Sequence, residues 1–100
     1  MYPRAKKMAE ILKVLGNENR LVIFCVLMDQ PLTVGEIAKS LPDITQSALS
    51  QHLNILKAHG ILDSTKSGQN VTYSIADKNI SEVISVLRKY YCDRNPKEAS

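Results

Sequence analysis

Thr45-Gln46-Ser47-Ala48-Leu49-Ser50-Gln51-His52-Leu53-Asn54-Ile55-Leu56-Lys57-Ala58-His59-Gly60 is the stretch that decides the fold. Thr45 has the hydroxyl that caps a helix start, and Gly60 is the residue type that ends one. On a wheel turning about 100° per residue, Leu49, Leu53 and Leu56 fall together as a narrow apolar stripe. Ser47, Ser50, Asn54 and Lys57 fall on the opposite arc, with Gln46 and Gln51 at its borders. That arc is short, polar and uncharged apart from Lys57. Gln and Asn pair bidentately with adenine, and Ser donates to or accepts from several base edges. No Asp or Glu occurs from Ile44 through Leu62, so nothing acidic there opposes phosphate. His52 sits nearer the apolar stripe and reads as a packed flank residue. His59 at the helix end reads as a partner of the C-terminal dipole.

Upstream, Thr33-Val34-Gly35-Glu36 matches a capping box, in which Thr33 and Glu36 each satisfy the other's backbone amide. A short helix follows, with Val34, Ile37, Ala38 and Leu41 inward and Pro42-Asp43 as its break. Further back, Met8, Ile11, Leu12 and Leu15 recur at i, i+3, i+4 and i+7, one helix face. Gly16 and Asn17 end that helix in the usual C-terminal manner. Leu21–Met28 is apolar without alternation. With Asn17 or Asn19 to start it and Pro31 to stop it, this run is a short buried helix.

Downstream, Ile61–Lys66 and Val71–Ile75 flank Ser67-Gly68-Gln69-Asn70, with apolar residues alternating at 71, 73 and 75. Two strands around a four-residue turn containing Gly form a hairpin. Lys66, Gln69 and Asn70 stand at its tip, where a basic, polar turn suits the phosphates of a neighbouring minor groove. Asp77 or Asn79 then starts a helix through Tyr91. The polar tail, about 93–100, is expected to fray. A short helix, a tight turn, a second helix and a hairpin make a winged helix-turn-helix. The fold class is mainly α, about five helices plus a two-stranded wing, in a single domain over 1–100.

Composition bounds the function. One hundred residues leave no room for a catalytic and a cofactor domain together. No Ser/His/Asp grouping, phosphate-cradling Gly loop or carboxylate pair appears, so the chain does not read as an enzyme and needs no cofactor. The net charge of +3 permits nucleic acid without demanding it. The longest apolar run, Leu21–Met28, is far short of the roughly 20 residues that span a membrane. The basic N-terminus leads into a periodic segment instead of a solid apolar block, which argues against a signal peptide and for the cytoplasm. The two cysteines, Cys25 and Cys92, are too far apart for a zinc finger and too few for a disulfide framework.

Val34-Gly35-Glu36-Ile37-Ala38, Gln46-Ser47-Ala48-Leu49-Ser50-Gln51-His52-Leu53, Gly60-Ile61-Leu62 and Val71-Thr72-Tyr73-Ser74-Ile75 together resemble the ArsR/SmtB family of bacterial repressors, over about residues 5–92. The resemblance implies a homodimer joined through the first and last helices, a palindromic double-stranded operator, and release of DNA when an inducer is sensed. It also implies major-groove contacts from Gln46, Ser47, Ser50 and Gln51. The DNA-binding set is then Gln46, Ser47, Ser50, Gln51, Asn54, Lys57, Lys66 and Gln69.

Two metal sites familiar in that family have no counterpart here. The third helix carries no Cys-x-Cys, and Lys78–Tyr91 carries no His and a single carboxylate, Glu82. Cys25 within the second helix and Cys92 after Tyr91 resemble instead the family's dithiol subgroup, which senses reactive sulfur or oxidants. Cys25 lies among apolar residues that raise a thiol's pKa, whereas Cys92 follows Arg88 and Lys89 and is the better first nucleophile. The resemblance thus implies a repressor released by modification of Cys25 and Cys92. The alternatives are a repressor sensing a thiophilic metal or metalloid through the same thiols, or a winged helix that serves only as a protein-interaction module.

Overall fold

Among the described residues, four of the five helices begin where a short polar side chain takes up a backbone amide, and the first does not. The computed structural model describes residues 4–91, with elements α1 (Ala5–Leu15), α2 (Glu18–Leu27), β1 (Leu32–Thr33), α3 (Val34–Ala38), α4 (Gln46–Ala58), β2 (Leu62–Ser67), β3 (Asn70–Ile75) and α5 (Lys78–Tyr91). Asn17 Oδ1 accepts from the Arg20 amide at 3.2 Å and so starts α2. Thr33 Oγ1 accepts from the Glu36 amide at 3.3 Å while Glu36 Oε1 accepts from the Thr33 amide at 2.9 Å, the expected capping box. The Thr33 bonds also hold the Glu36 carboxyl below its ordinary pKa. Thr45 Oγ1 accepts from the Ala48 amide at 3.0 Å, fixing the first turn of α4. Asp77 Oδ1 accepts from Asn79 and Ile80 at the start of α5. Such caps are each worth about 1 kcal/mol.

α4 ends at Gly60, whose φ of 72° is left-handed. The Ile61 amide donates to Leu56 O and the Gly60 amide to Lys57 O, both at 3.0 Å. That pair of bonds is a Schellman motif, and the apolar contact it requires is between Leu56 and Ile61, both fully buried. The chain therefore turns directly from α4 into the hairpin. α1 ends differently from the expectation. Gly16 has a right-handed φ of −73°, and its role is steric: a Cβ there would lie 3.2 Å from Leu12 O.

The sheet has three strands in the order β1-β3-β2, all antiparallel, where the sequence suggested two. β1 pairs Leu32 with Tyr73 and Thr33 with Thr72. A two-residue strand has no periodicity of its own to read. The hairpin turn is also tighter than expected. Ser67 pairs with Asn70, leaving only Gly68 and Gln69 in the loop. Gly68 has a φ of 62° and, among the described residues, no non-glycine has a positive φ, the pattern of a type II′ turn.

Phe24 and Ile23 of α2, Ile37 of α3, and Leu49, Leu53 and Leu56 of α4 are sealed from solvent together with Ile61 and Leu62. α4 is thus clamped on its apolar stripe, which turns its polar arc outward. Cys92 and the tail at 93–100 lie outside the described residues. Among the described residues no helix is long and apolar enough to cross a membrane.

Candidate nucleic-acid interface

Gln46, Ser47, Ser50, Gln51, Asn54 and Lys57 are all exposed, on the side of α4 turned away from Leu49, Leu53 and Leu56. Six polar side chains on a rigid, capped helix form one continuous face. Lys57 reaches sideways: its Nζ donates to Ser64 Oγ of β2 at 2.6 Å, tying α4 to the hairpin. Sequence periodicity gave no sign of Ser64, because its partner lies on another element. From Ser64 the strand advances about 10 Å to the turn. Lys66, Gln69 and Asn70 are exposed there, beyond one flank of α4 and apart from its polar face. A groove-filling helix with a basic hairpin to one side can set side chains against base edges and follow the adjoining backbone.

The other flank carries Ala48, His52 and Ile55, all half-buried, and His59 beyond them. His59 Nδ1 donates to Ile55 O at 2.9 Å, satisfying a last-turn carbonyl as expected of a C-terminal histidine. His52 Nδ1 is buried without a hydrogen-bond partner, as is Nε of Arg20 on α2. Burial, and then the charge of Arg20, push the His52 pKa below 6.5. The fold therefore favours neutral His52. The stabilisation is fully present above about pH 6.5 and is lost as pH falls from there through the lower value of the folded protein, because the unfolded chain takes up the proton first. His52→Gln should show a smaller drop in melting temperature between about pH 7.5 and pH 5 than the wild type. An identical drop in both proteins would exclude His52 as the source.

Cys25 is half-buried in α2 against the core. Arg88 of α5 donates from Nη1 to Cys25 O at 3.4 Å and lies 3.7 Å from Asp29 Oδ1. The last turn of α5 is thereby tied to the C-terminal end of α2 at the Cys25 carbonyl. Among the described residues no three His, Cys, Asp or Glu side chains converge as a metal site.

Residues 17–64, which run from the Asn17 cap through α4 into β2, match the model of the bacterial regulatory protein arsR family. The chain is 38% identical over 95 residues to the transcriptional activator HlyU of Vibrio cholerae, covering 95% of this chain and 87% of that one. It is 34% identical to the biofilm growth-associated repressor of Agrobacterium fabrum, covering 92% and 78%. The solved structure of Vibrio cholerae HlyU superposes with a TM-score of 0.86 at 38% identity, covering 93% of this chain and all of that one. A structure described as reduced HlyU gives 0.83, covering 89% and 93%. A capped, outward-facing polar helix flanked by a wing, in a chain this similar over nearly its full length, makes it a member of the ArsR family: a DNA-binding transcriptional regulator of winged helix-turn-helix fold, and not an enzyme.

Proposed function

We propose that this regulator is a homodimeric repressor that grips a palindromic operator through α4 and the hairpin and lets go when reactive sulfur or an oxidant modifies Cys25 and Cys92. The observation that carries the DNA reading is the exposed face of Gln46, Ser47, Ser50, Gln51 and Asn54 with the hairpin held beside it by Lys57 and Ser64. Gln46, Ser47, Ser50, Gln51 and Asn54 read base edges, while Lys57, Lys66 and Gln69 meet phosphates. The dimer reading is supported by apolar side chains left uncovered on α1 and α5. Met8, Leu12, Val83, Val86 and Tyr90 are each more than half exposed. A monomer rarely leaves so continuous an apolar patch to water.

The sensing reading is supported by the pairing of Cys25 and Cys92 in the sequence, and by Arg88, which joins α5 to α2 beside Cys25. One of the similar solved structures is of HlyU in a reduced form. In the proposed chemistry, the Cys92 thiolate attacks the outer sulfur of a persulfide RSSH and expels RS⁻. The Cys25 thiolate then attacks the Cys92 sulfur, forms a disulfide and expels HS⁻. Closing that bond requires Cα atoms within about 7 Å, whereas a longer sulfur chain spans more. Linking α2 to α5 would shift the helix beside the dimer seam and with it the half-site separation.

Reduced protein should bind DNA, and a persulfide donor should release it with a Cys25–Cys92 link visible by mass spectrometry. Cys25→Ser and Cys92→Ser should each keep DNA binding and lose the release. Release from the double Cys→Ser protein would place the switch elsewhere. Release by arsenite or zinc but not by persulfide would make the inducer a thiophilic metal or metalloid.

A further inference from the structure

α2 ends on an accumulation of negative charge. Its last turn carries no basic side chain, and Asp29 follows directly after the Met28 cap. The carbonyls at a helix C-terminus already form the negative end of its dipole, so a carboxylate added there is unfavourable. The compensating cation comes from Arg88, 63 residues beyond Cys25. Its Nη1 donates to Cys25 O at 3.4 Å and to Met28 Sδ at 3.8 Å, and lies 3.7 Å from Asp29 Oδ1. One nitrogen thus meets a carbonyl, a thioether and a carboxylate of the same helix end. Arg88 caps α2 from another element.

The same contacts bear on where the second half of α5 lies. Ile80 and Ile84 anchor its first half in the core. From Ser85 to Tyr91 every residue is exposed except Arg88, whose side chain is 23% exposed. Among the described residues the backbones of α2 and α5 come close at few points. An open cleft lies between them, with Met28 and Asp29 on one side and Ser81 and Ser85 on the other. Within one protomer, the long side chain of Arg88 spans what the backbones leave apart.

Cys25 is the residue whose carbonyl Arg88 holds, and Cys92 is four residues beyond Arg88 in the chain. Four residues reach at most about 14 Å, so fixing Arg88 confines the Cα of Cys92 to that radius. A disulfide needs its two Cα atoms within about 7 Å. A helix end free to swing away from α2 would meet that condition less often.

We infer that Arg88 is the positioning residue of the thiol switch: by capping the end of α2 from the last turn of α5, it keeps the chain leading into Cys92 within closing reach of Cys25. This role rests on the sensing function proposed for the two thiols. Arg suits it because its charge is permanent and its planar head presents several donors on a long stem.

The quantity to measure is the effective concentration of the two thiols, by equilibration of the full-length protein with reduced and oxidised glutathione. Each protein thiol gives up a proton and an electron. One glutathione disulfide takes up both electrons and both protons and leaves as two glutathione thiols. Mixed-disulfide constants of the single-cysteine variants, with and without Arg88→Ala, remove any change in thiol pKa. Arg88→Ala should lower the effective concentration roughly tenfold, as expected for losing a charge-assisted contact. That makes the Cys25–Cys92 potential about 30 mV less negative. Arg88→Lys, which keeps the charge without the fork, should fall between, about threefold down. A residue that only stabilised the fold would lower the melting temperature and leave the potential unchanged. Folded Arg88→Ala with the wild-type effective concentration overturns the inference. Should Arg88→Ala fail to fold, Arg88→Lys decides in its place, and a wild-type value there overturns the inference as well. In either case a wild type that still closes the bond and releases DNA leaves the sensing function standing. A wild type that forms no intramolecular bond at any glutathione ratio overturns both.

Discussion

Ser50→Glu is expected to weaken operator binding by about a thousandfold and to leave the fold intact. Ser50 is exposed in the middle of α4, four residues from Gln46 and from Asn54 on the same side. Its replacement loses a short donor and acceptor at a base edge. It also sets a carboxylate between two phosphate walls, in a segment otherwise free of acidic residues from 44 to 62. One lost base contact together with the repulsion costs about 2 kcal/mol per half-site. Two half-sites make about 4 kcal/mol, or nearly three decades in affinity. Stability should move by less than about 0.5 kcal/mol, because an exposed helix position tolerates Glu. Glu82→Gln is the matching control: Glu82 is exposed on α5, away from the α4 face, and its loss should not change binding. Gel shift or fluorescence anisotropy against the operator measures both. Wild-type affinity in folded Ser50→Glu would remove α4 from the role of recognition helix.

The same residue shows why so much of the candidate interface is legible in the sequence. Which way Ser50 points follows from Leu49, Leu53 and Leu56, and those three are sealed in the core. A helix whose apolar stripe is narrow has only one side left for function. The caps at Thr33 and Thr45 are legible for a related reason: donor and acceptor lie within one turn, so the spacing alone specifies the bond. Gly60 belongs with them, since the Schellman bonds stay within five residues of one another.

What the sequence hides is whatever depends on a partner distant in the chain. β1 exists only because Leu32 and Thr33 meet Tyr73 and Thr72, and two residues carry no pattern that announces it. The Lys57–Ser64 bond joins a helix to a strand, so the wheel shows a basic residue on the polar arc and not the strut it becomes. Arg88 likewise reads as a basic residue near a helix C-terminus, but it bonds the carbonyl of Cys25 on α2 instead of its own helix. Each of these residues gains its role from packing between elements, which hydropathy records only as inside or outside.

Replacing Leu12 and Val83 together with Asp is expected to convert the proposed dimer to a monomer and to abolish operator binding. Leu12 is 66% exposed and Val83 57% exposed in the isolated protomer, on either side of an apolar groove between α1 and α5. Neither supports the protomer's own core, so the monomer should fold as before. In a two-fold interface every substitution occurs twice. Four unpaired carboxylates would then be brought into an apolar seam. At only about 3 kcal/mol for each pair of symmetry-related copies, association weakens by about 6 kcal/mol, or roughly four decades. Sedimentation at micromolar concentration should show the wild type at about twice the 11.1 kDa of one chain and the double variant at 11.1 kDa. Operator affinity falls with it, because a bound monomer no longer delivers its partner to the second half-site at high effective concentration. Two results would break this chain of reasoning at different links. A wild type that sediments only at 11.1 kDa leaves the exposed patch on α1 and α5 for some other partner. A monomeric double variant that still binds the palindrome as tightly as wild type would mean that the two half-sites are read independently, and that the seam between protomers has no part in holding DNA.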